Sequence, residues 1–163
     1  MKMIVAVDKN WGIGCQNKLL ISIPEDMKFF REKTMNNSVI LGKKTLDTFP
    51  GGKPLKNRTN IVITRDETCK IEGAIVVHSI EETLEVANRY QLEETYVIGG
   101  ASIYRQMLPY CDTAFVTKIK EAYQADTYFP DLDKDDNWEI TEASETNVSS
   151  GVEYAFYKYE RKK

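Results

Sequence analysis

The sequence predicts an α/β fold in which one domain, residues 1–163, holds a central mixed, mostly parallel eight-stranded sheet with helices on both faces. Two observations carry this prediction. As far as residue 119, short apolar runs rich in β-branched residues alternate with helical patterns, as in chains that build parallel sheets. Beyond that point, residues 138–145 and 154–160 alternate apolar and polar side chains with no helical pattern between them. They predict a C-terminal antiparallel hairpin at the sheet edge.

Each predicted element has its own signal along the chain. Helices are expected from Pro24, over 45–49, after Ser79 as an N-cap, and from 101 to about Leu108, which precedes a proline. Residues 8–20 have two glycines and no helical period, so they predict a mobile loop, acting either as a lid or as a plain connection. Strands are predicted for the apolar or alternating runs at residues 3–7, 38–41, 61–64, 74–77, 95–98, 113–119, 138–145 and 154–160.

Asp26 is the first candidate for chemistry. Ser22 and Glu25 form a capping-box pattern around Pro24, which predicts that a helix begins there. On that helix Asp26 lies one turn before Phe30, so a carboxylate shares a face with apolar side chains. The alternative is a solvated first-turn acid that only complements the helix dipole.

Composition excludes several classes of function. The net charge is −3 and the acidic and basic residues are interspersed, so nucleic acid and anionic membranes are not expected partners. The N-terminal apolar run is too short for a signal peptide, which predicts a cytoplasmic protein. Cys15, Cys69 and Cys111 are isolated and His78 is the single histidine, a pattern that argues against a disulfide framework and a metal site.

Two glycine-containing turns follow predicted strands. Gly42, two lysines and Thr45 open one short helix, and Gly99-Gly100 opens another. Free backbone N–H groups in such turns bind phosphate, although exposed lysines and tight packing turns give similar patterns. Arg58, at the start of a strand, is suited to a bidentate carboxylate contact or is simply an exposed loop arginine.

Taken in order, these motifs resemble the dihydrofolate reductase family over residues 3–160. The resemblance rests on six segments, namely Val5-Ala6-Val7-Asp8 with Ile13-Gly14, Ile23-Pro24-Glu25-Asp26-Met27-Lys28-Phe29-Phe30, Gly42-Lys43-Lys44-Thr45, Pro54-Leu55 with Arg58-Thr59-Asn60-Ile61, Ile98-Gly99-Gly100-Ala101-Ser102-Ile103-Tyr104, and Asp126-Thr127-Tyr128-Phe129-Pro130. It implies a monomer that transfers a hydride from NADPH to C6 of dihydrofolate, with a proton added at N5. It also implies a cis Gly99-Gly100 peptide.

The resemblance assigns residues to each part of the site. It implies catalytic roles for Asp26 and Thr117, with Thr117 hydrogen-bonded to the acid. The substrate residues it implies are Ile4, Ala6, Asp26, Met27, Phe30, Arg31, Phe49, Lys53, Leu55, Arg58, Ile98 and Thr117. The NADPH residues it implies are Ala6, Ile13, Gly14, Asn17, Leu19, Gly42, Lys43, Lys44, Thr45, Thr64, Arg65, His78, Gly99, Gly100, Ala101, Ser102, Ile103 and Tyr104.

The chain departs from the family pattern in three places. Leu19-Leu20-Ile21 replaces Leu-Pro-Trp, Lys43 replaces an arginine and Ala125 stands where glycine is common. Two other functions remain open at this stage. One is a riboflavin-pathway reductase of the same fold that acts on a ribosylated pyrimidine, and the other is a non-catalytic nucleotide-binding module.

Overall fold

The computed structural model describes residues 1–16 and 18–163. The helices are α1 (Pro24–Thr34), α2 (Lys43–Asp47), α3 (Ile80–Arg89) and α4 (Ala101–Met107), with short 3₁₀ turns at Pro50–Gly52, Leu92–Glu94, Leu108–Tyr110 and Leu132–Lys134. The strands are β1 (Lys2–Val7), β2 (Gly12–Cys15), β3 (Lys18–Leu19), β4 (Ser38–Gly42), β5 (Thr59–Ile63), β6 (Ala74–Val77), β7 (Thr95–Gly99), β8 (Thr113–Ile119), β9 (Thr127–Tyr128), β10 (Trp138–Ala143), β11 (Asn147–Ser149) and β12 (Val152–Arg161).

The central sheet confirms the predicted fold class. Its strand order is β10-β12-β8-β1-β7-β4-β5-β6, and β11 also pairs with β12. The pairs from β8 through β6 are parallel, whereas β12 is antiparallel to β8, β10 and β11. The C-terminal strands therefore extend a parallel sheet at one edge, as the alternating pattern predicts.

Helices cover both faces of this sheet. Val86 on α3 and Met107 on α4 belong to one core cluster with β1 residues such as Val5. On the opposite face Leu46 of α2 packs with β4 and β5, and Phe30 of α1 packs near β1 and β8. Because successive side chains of a strand point to opposite faces, the buried strands carry apolar residues continuously.

The segment before α1 is more ordered than the sequence predicts. Strands β2, β3 and β9 form a second, antiparallel sheet, so the expectation of a loop without regular structure for residues 8–20 is wrong. Gly12 and Gly14 lie opposite residues of β9. Strands of two to four residues show no readable period, and this pairing depends on a distant segment. Asn17 lies outside the described residues.

The start of α1 differs in detail from the prediction. The helix begins at Pro24, as predicted, but its N-cap is Ile23, whose apolar side chain makes no capping hydrogen bond. The capping box proposed for Ser22 and Glu25 is therefore wrong, because Ser22 lies one residue before the cap. The short helix predicted over 45–49 starts two residues earlier, at Lys43.

The start of α3 is capped as predicted. The Ser79 hydroxyl accepts a hydrogen bond from the backbone N–H of Glu82 at 3.0 Å, and the helix runs from Ile80 to Arg89. A hydroxyl that accepts a free N–H of the first turn satisfies one of the donors that lack an intrahelical partner.

Candidate active site

The carboxyl ends of the parallel strands share one edge of the central sheet. Ala6 at the end of β1 lies opposite Thr117 of β8, and Leu41 of β4 lies opposite Gly99 of β7. Open α/β sheets bind ligands outside this edge. The predicted site residues near the ends of these strands or in the segments that follow them are Ala6, Gly42, Lys43, Lys44, Thr45, Thr64, Arg65, His78, Gly99, Gly100, Ala101, Ser102, Ile103, Tyr104 and Thr117.

Asp26 and Thr117 meet at this edge. The Thr117 hydroxyl donates a hydrogen bond of 2.6 Å to Oδ1 of Asp26. Thr117 is buried within β8, and Asp26 is half-buried in the first turn of α1. Burial raises the pKa of the Asp26 carboxyl above its ordinary value of 3.8, and the Thr117 hydrogen bond partly offsets this effect. The first-turn acid is therefore directed at the sheet and is not simply solvated.

Two apolar clusters lie on the face of the sheet that α1 and α2 cover. Ile4 and Phe30 belong to the cluster under α1. Phe49 and Leu55 pack against the cluster that contains α2. Ile98 contacts both clusters, so it joins these two groups of apolar residues. Met27 remains 45% exposed, which leaves its side chain available to a ligand on the solvent side.

Arg58 is held in place by the end of α1. Its Nε donates to the Thr34 hydroxyl at 3.2 Å, and one terminal nitrogen donates to the Lys56 carbonyl oxygen at 2.8 Å. Burial and, secondly, the nearby charge of Arg31 lower the pKa of Arg58, but a guanidinium stays charged in proteins. Lys53, Leu55 and Arg58 share a surface groove.

The first glycine turn joins β4 to α2. Gly42 is the N-cap of α2 in an extended conformation, so the first N–H groups of the helix lack intrahelical partners. Lys43 pairs with Asp47 one turn later, and this hydrogen bond raises the pKa of Lys43. Lys44 is exposed.

Residues after β5 and β6 lie beside this turn. Thr64 N–H donates to the Val77 carbonyl at 3.0 Å. Nδ1 of His78 lies 3.0 Å from the carbonyl oxygen of Thr64. A carbonyl oxygen only accepts, so Nδ1 carries the proton of this contact and Nε2 is left for another partner.

The second glycine turn joins β7 to α4. The Gly99-Gly100 peptide is cis, as the resemblance implies. A Cβ on Gly100 would lie 3.1 Å from the Thr45 hydroxyl, which brings the two glycine turns close together. Within α4 the Tyr104 hydroxyl donates to the carbonyl oxygen of Ile4 at 2.7 Å, and burial raises the pKa of this phenol.

The small sheet carries the remaining candidates. Ile13 and Gly14 lie on β2, while Leu19 on β3 is 71% exposed. This exposure leaves the Leu19 side chain open to a ligand, and its role toward the cofactor stays a prediction. Ile21 packs against the apolar cluster that includes Ile23, so the Leu-Leu-Ile departure adds apolar packing next to α1.

Two structural contributors escaped sequence reasoning. Thr34 holds Arg58, and Asp8 accepts backbone N–H groups of Asn10 and Gly12 at 2.8 Å. The Asp8 arrangement has a sequence signal, because aspartate followed by a turn commonly accepts the N–H two residues on. The Thr34 contact has none, since it joins side chains 24 residues apart.

A model of the dihydrofolate reductase family matches residues 1–161. The chain belongs to the dihydrofolate reductase family. Dihydrofolate reductase of Bacillus subtilis (strain 168) is 35% identical over 164 residues, which cover 99% of this chain and 95% of the relative. Dihydrofolate reductase of Neisseria gonorrhoeae is 37% identical over 158 residues, covering 96% of this chain and 95% of the relative.

A solved structure agrees with this assignment. Dihydrofolate reductase from Enterococcus faecalis, complexed with NADP(H) and RAB-propyl, superimposes with a TM-score of 0.88 at 35% identity. The match covers 99% of this chain and 96% of that one. The family resemblance and the fold class stated from the sequence are both confirmed. Over residues 1–16 and 18–163, we find no helix long and apolar enough to cross a membrane.

Proposed function

We propose that this chain catalyses the NADPH-dependent reduction of 7,8-dihydrofolate to 5,6,7,8-tetrahydrofolate, adding a hydride to C6 and a proton to N5. The observation that carries the proposal is the hydrogen bond of 2.6 Å between Thr117 and Asp26. It places a desolvated carboxylate at the carboxyl edge of the sheet, beside the glycine turns.

Asp26 is suited to orient the pterin ring. The N3–H and 2-amino groups of a pterin form a flat pair of donors, which one carboxylate accepts with both oxygens. Thr117 occupies one acceptor position on Oδ1 of Asp26, and an ionised carboxylate has about four such positions. We assign the Asp26 carboxylate to orienting the ring and favouring its protonation, while water delivers the proton to N5.

Other residues fit the two ends of the substrate. Ile4, Ala6, Met27, Phe30, Phe49, Leu55 and Ile98 would form apolar walls around the pterin and benzoyl groups, and the clusters joined by Ile98 support this assignment. The Arg58 guanidinium, preoriented by Thr34, would bind the α-carboxylate of the glutamate. Arg31 and Lys53 are exposed nearby and would add positive charge.

The glycine turns fit NADPH, which supplies the hydride when it is bound. A Cβ on Gly42 would lie 3.2 Å from the Ile103 side chain, and one on Gly100 would crowd Thr45. Both turns therefore depend on glycine at these positions. The residues that would hold the cofactor are Ala6, Ile13, Gly14, Asn17, Leu19, Gly42, Lys43, Lys44, Thr45, Thr64, Arg65, His78 and the segment from Gly99 to Tyr104. Lys43 would have to share its ammonium between phosphate and Asp47.

The activity has a direct test. Purified protein with NADPH and dihydrofolate is expected to oxidise the cofactor, followed by its absorbance, at a rate proportional to enzyme concentration. A ribosylated pyrimidine serves as the counter-substrate for the riboflavin-pathway alternative. No oxidation with dihydrofolate would overturn the proposal, and oxidation with the pyrimidine alone would favour the alternative.

We further propose that the protein acts as a cytoplasmic monomer that does not bind nucleic acid. The net charge of −3 and the interspersed acidic and basic residues support the last point. Within the part of the chain that the structure describes, Cys15, Cys69 and Cys111 are free thiols, which is typical of a reducing compartment.

A further inference from the structure

Asp8 lies at the junction between the central sheet and the small sheet. It follows the last residue of β1, and only 3% of its surface is exposed. Ala6, two residues earlier, lies opposite Thr117. Asp8 is thus close in the chain to the site residues, although the resemblance assigns it no role.

The Asp8 carboxylate accepts three backbone N–H groups from two segments. Oδ1 accepts from Asn10 and from Gly12, both at 2.8 Å. Oδ2 accepts from Tyr123 at 2.9 Å, across 115 residues of sequence. A buried carboxylate with several N–H donors is well compensated for its desolvation. One side chain therefore joins the start of β2 to the segment that follows β8.

The two joined segments contact each other again near the other end of β2. Asp126 N–H donates to the Gly14 carbonyl at 2.9 Å, and the Asp126 carboxylate accepts from the Gln16 N–H at 2.9 Å. Asp8 and Asp126 thus hold β2 near its two ends. Ile13 lies between these contacts and Gly14 is one of the residues held by Asp126; both are candidates for the cofactor site.

We propose, on the basis of the reductase activity proposed above, that Asp8 is a positioning residue for hydride transfer. Through its three N–H partners it holds β2, and with it Ile13 and Gly14, in the arrangement that completes the site. Only a group with two acceptor oxygens satisfies the donors on both sides. An asparagine would place an NH₂ group against a backbone N–H.

Gly12 offers a second way to disturb the same contact. A Cβ on Gly12 would lie 2.7 Å from the Ala125 Cβ and about as close to the Asp8 oxygens, at 3.0 and 3.1 Å. Gly12→Ala therefore pushes β2 away from both partners while the carboxylate remains. It tests positioning without removing a charge.

The test uses the variants Asp8→Asn and Gly12→Ala, with Asp135→Asn as the matched control. Asp135 also accepts a backbone N–H in a turn, from Asn137 at 2.9 Å, but it lies in the segment before β10. The single-turnover rate of hydride transfer and the dissociation constant of dihydrofolate, from quenching of tryptophan fluorescence, are measured well below each melting temperature.

We expect the rate in Asp8→Asn and Gly12→Ala to fall about tenfold or more, since small displacements in a site are costly. The dihydrofolate dissociation constant should change by less than about threefold, because Asp26 and Arg58 are untouched. Asp135→Asn should match the wild type in both. If the Asp8→Asn protein does not fold, the rate of hydride transfer in Gly12→Ala tests the proposal.

Two outcomes overturn the inference. One is a wild-type rate of hydride transfer in the variants, and the other is a loss of rate that only follows a loss of folded protein or of dihydrofolate affinity. An inactive wild-type protein would instead overturn the proposed reductase function, so the two failures are distinguishable.

Discussion

At the scale of single residues, the site is governed by the balance of burial and hydrogen bonding at Asp26. Burial disfavours the charged carboxylate, while the Thr117 hydroxyl stabilises it, and burial is the larger effect. A carboxyl with a raised pKa keeps its proton to higher pH. The binding of a cationic or proton-donating ring should therefore readily change the protonation of the Asp26 carboxyl.

Replacing Thr117 with valine tests this balance. The substitution removes the hydrogen bond that lowers the pKa of Asp26, so the pKa should rise further. We expect the corresponding limb of the pH profile of kcat/KM to move to higher pH. Thr113→Val is the control, because Thr113 lies on the same strand and donates to a different acid, Asp112, at 3.0 Å. An unmoved profile in Thr117→Val would contradict the assignment.

Replacing Asp26 with asparagine should increase the stability of the ligand-free protein at neutral pH. Because the pKa of Asp26 in the folded protein lies above 3.8, the folded state binds the proton more tightly than the unfolded state does. The protonated form of Asp26 therefore stabilises the fold at pH values below the pKa of Asp26 in the unfolded chain. This stability is lost as the pH rises through the pKa of Asp26 in the folded protein. The ligand-free Asn variant should therefore unfold at higher urea concentration than the wild type at neutral pH. This advantage should shrink on acidification, and a constant difference across pH would rule out the linkage.

At the scale of elements, α1 connects the two ends of the candidate substrate site. Its first turn carries Asp26, and its last residue, Thr34, holds Arg58. Pro24, together with a capping box that proved wrong, predicted where this helix begins, and helical spacing predicted the face of Asp26. The Thr34 contact was not predictable, because it depends on where the segment before β5 returns to the helix.

Thr34→Val should loosen Arg58 without removing its charge. We expect KM for dihydrofolate to rise by about threefold to tenfold, the size expected for losing one hydrogen bond that orients the guanidinium. The dissociation constant of NADPH should stay at the wild-type value, since the glycine turns are distant in the sheet. Steady-state kinetics and cofactor titration measure the two quantities. An equal loss of both affinities would indicate general disruption of α1.

The small sheet shows where sequence reasoning failed at this scale. Gly12, Gly14 and the two residues of β9 pair across more than 100 residues of sequence. Glycines give no apolar pattern, so the segment before α1 was predicted as a loop. Tertiary contacts such as those of Asp8 and Asp126 determine how very short strands pair over long sequence distances. Local strand propensity contributes little to this pairing.

At the scale of the whole molecule, the strand order brings the site together from segments spread over the chain. The alternation of β-branched runs with helical patterns predicted the parallel sheet and its covered faces. The order β8-β1-β7-β4 does not follow from periodicity. No strand order was predicted from the sequence. The placement of Asp26 against Thr117 depends on that order.

The buried hydroxyl of Tyr159 on β12 forms a hydrogen bond with the turn that precedes the C-terminal strands. Tyr159 donates to Asp133 at 2.7 Å, and Lys118 donates to the same carboxylate at 2.7 Å. Burial alone would raise the pKa of Asp133, but these hydrogen bonds outweigh it and the pKa is lowered. The contact joins the turn at Leu132–Lys134 to β8 and β12.

Tyr159→Phe should lower the free energy of unfolding by about 1 kcal/mol at neutral pH, the usual net contribution of a hydrogen bond. Because the pKa of Asp133 is lower in the folded protein than in the unfolded chain, its ionised form stabilises the fold at pH values above the unfolded pKa. This stability is lost as the pH falls through the folded pKa. The difference between Tyr159→Phe and the wild type should therefore narrow in acid. Urea unfolding measures it, and Tyr157→Phe, on the same strand, is the control. Equal effects of the two substitutions would contradict the role of this contact.

The pH dependence of hydride transfer in Asp26→Asn tests the central claim most directly. If Asp26 orients the pterin and favours its protonation, the single-turnover rate at neutral pH falls by about a hundredfold or more, the loss expected when a reacting ring is misplaced. The NADPH dissociation constant then stays close to the wild-type value, and the pH dependence of the rate is lost. Equal losses of rate and of NADPH affinity, with the wild-type pH dependence retained, would contradict the role given to Asp26.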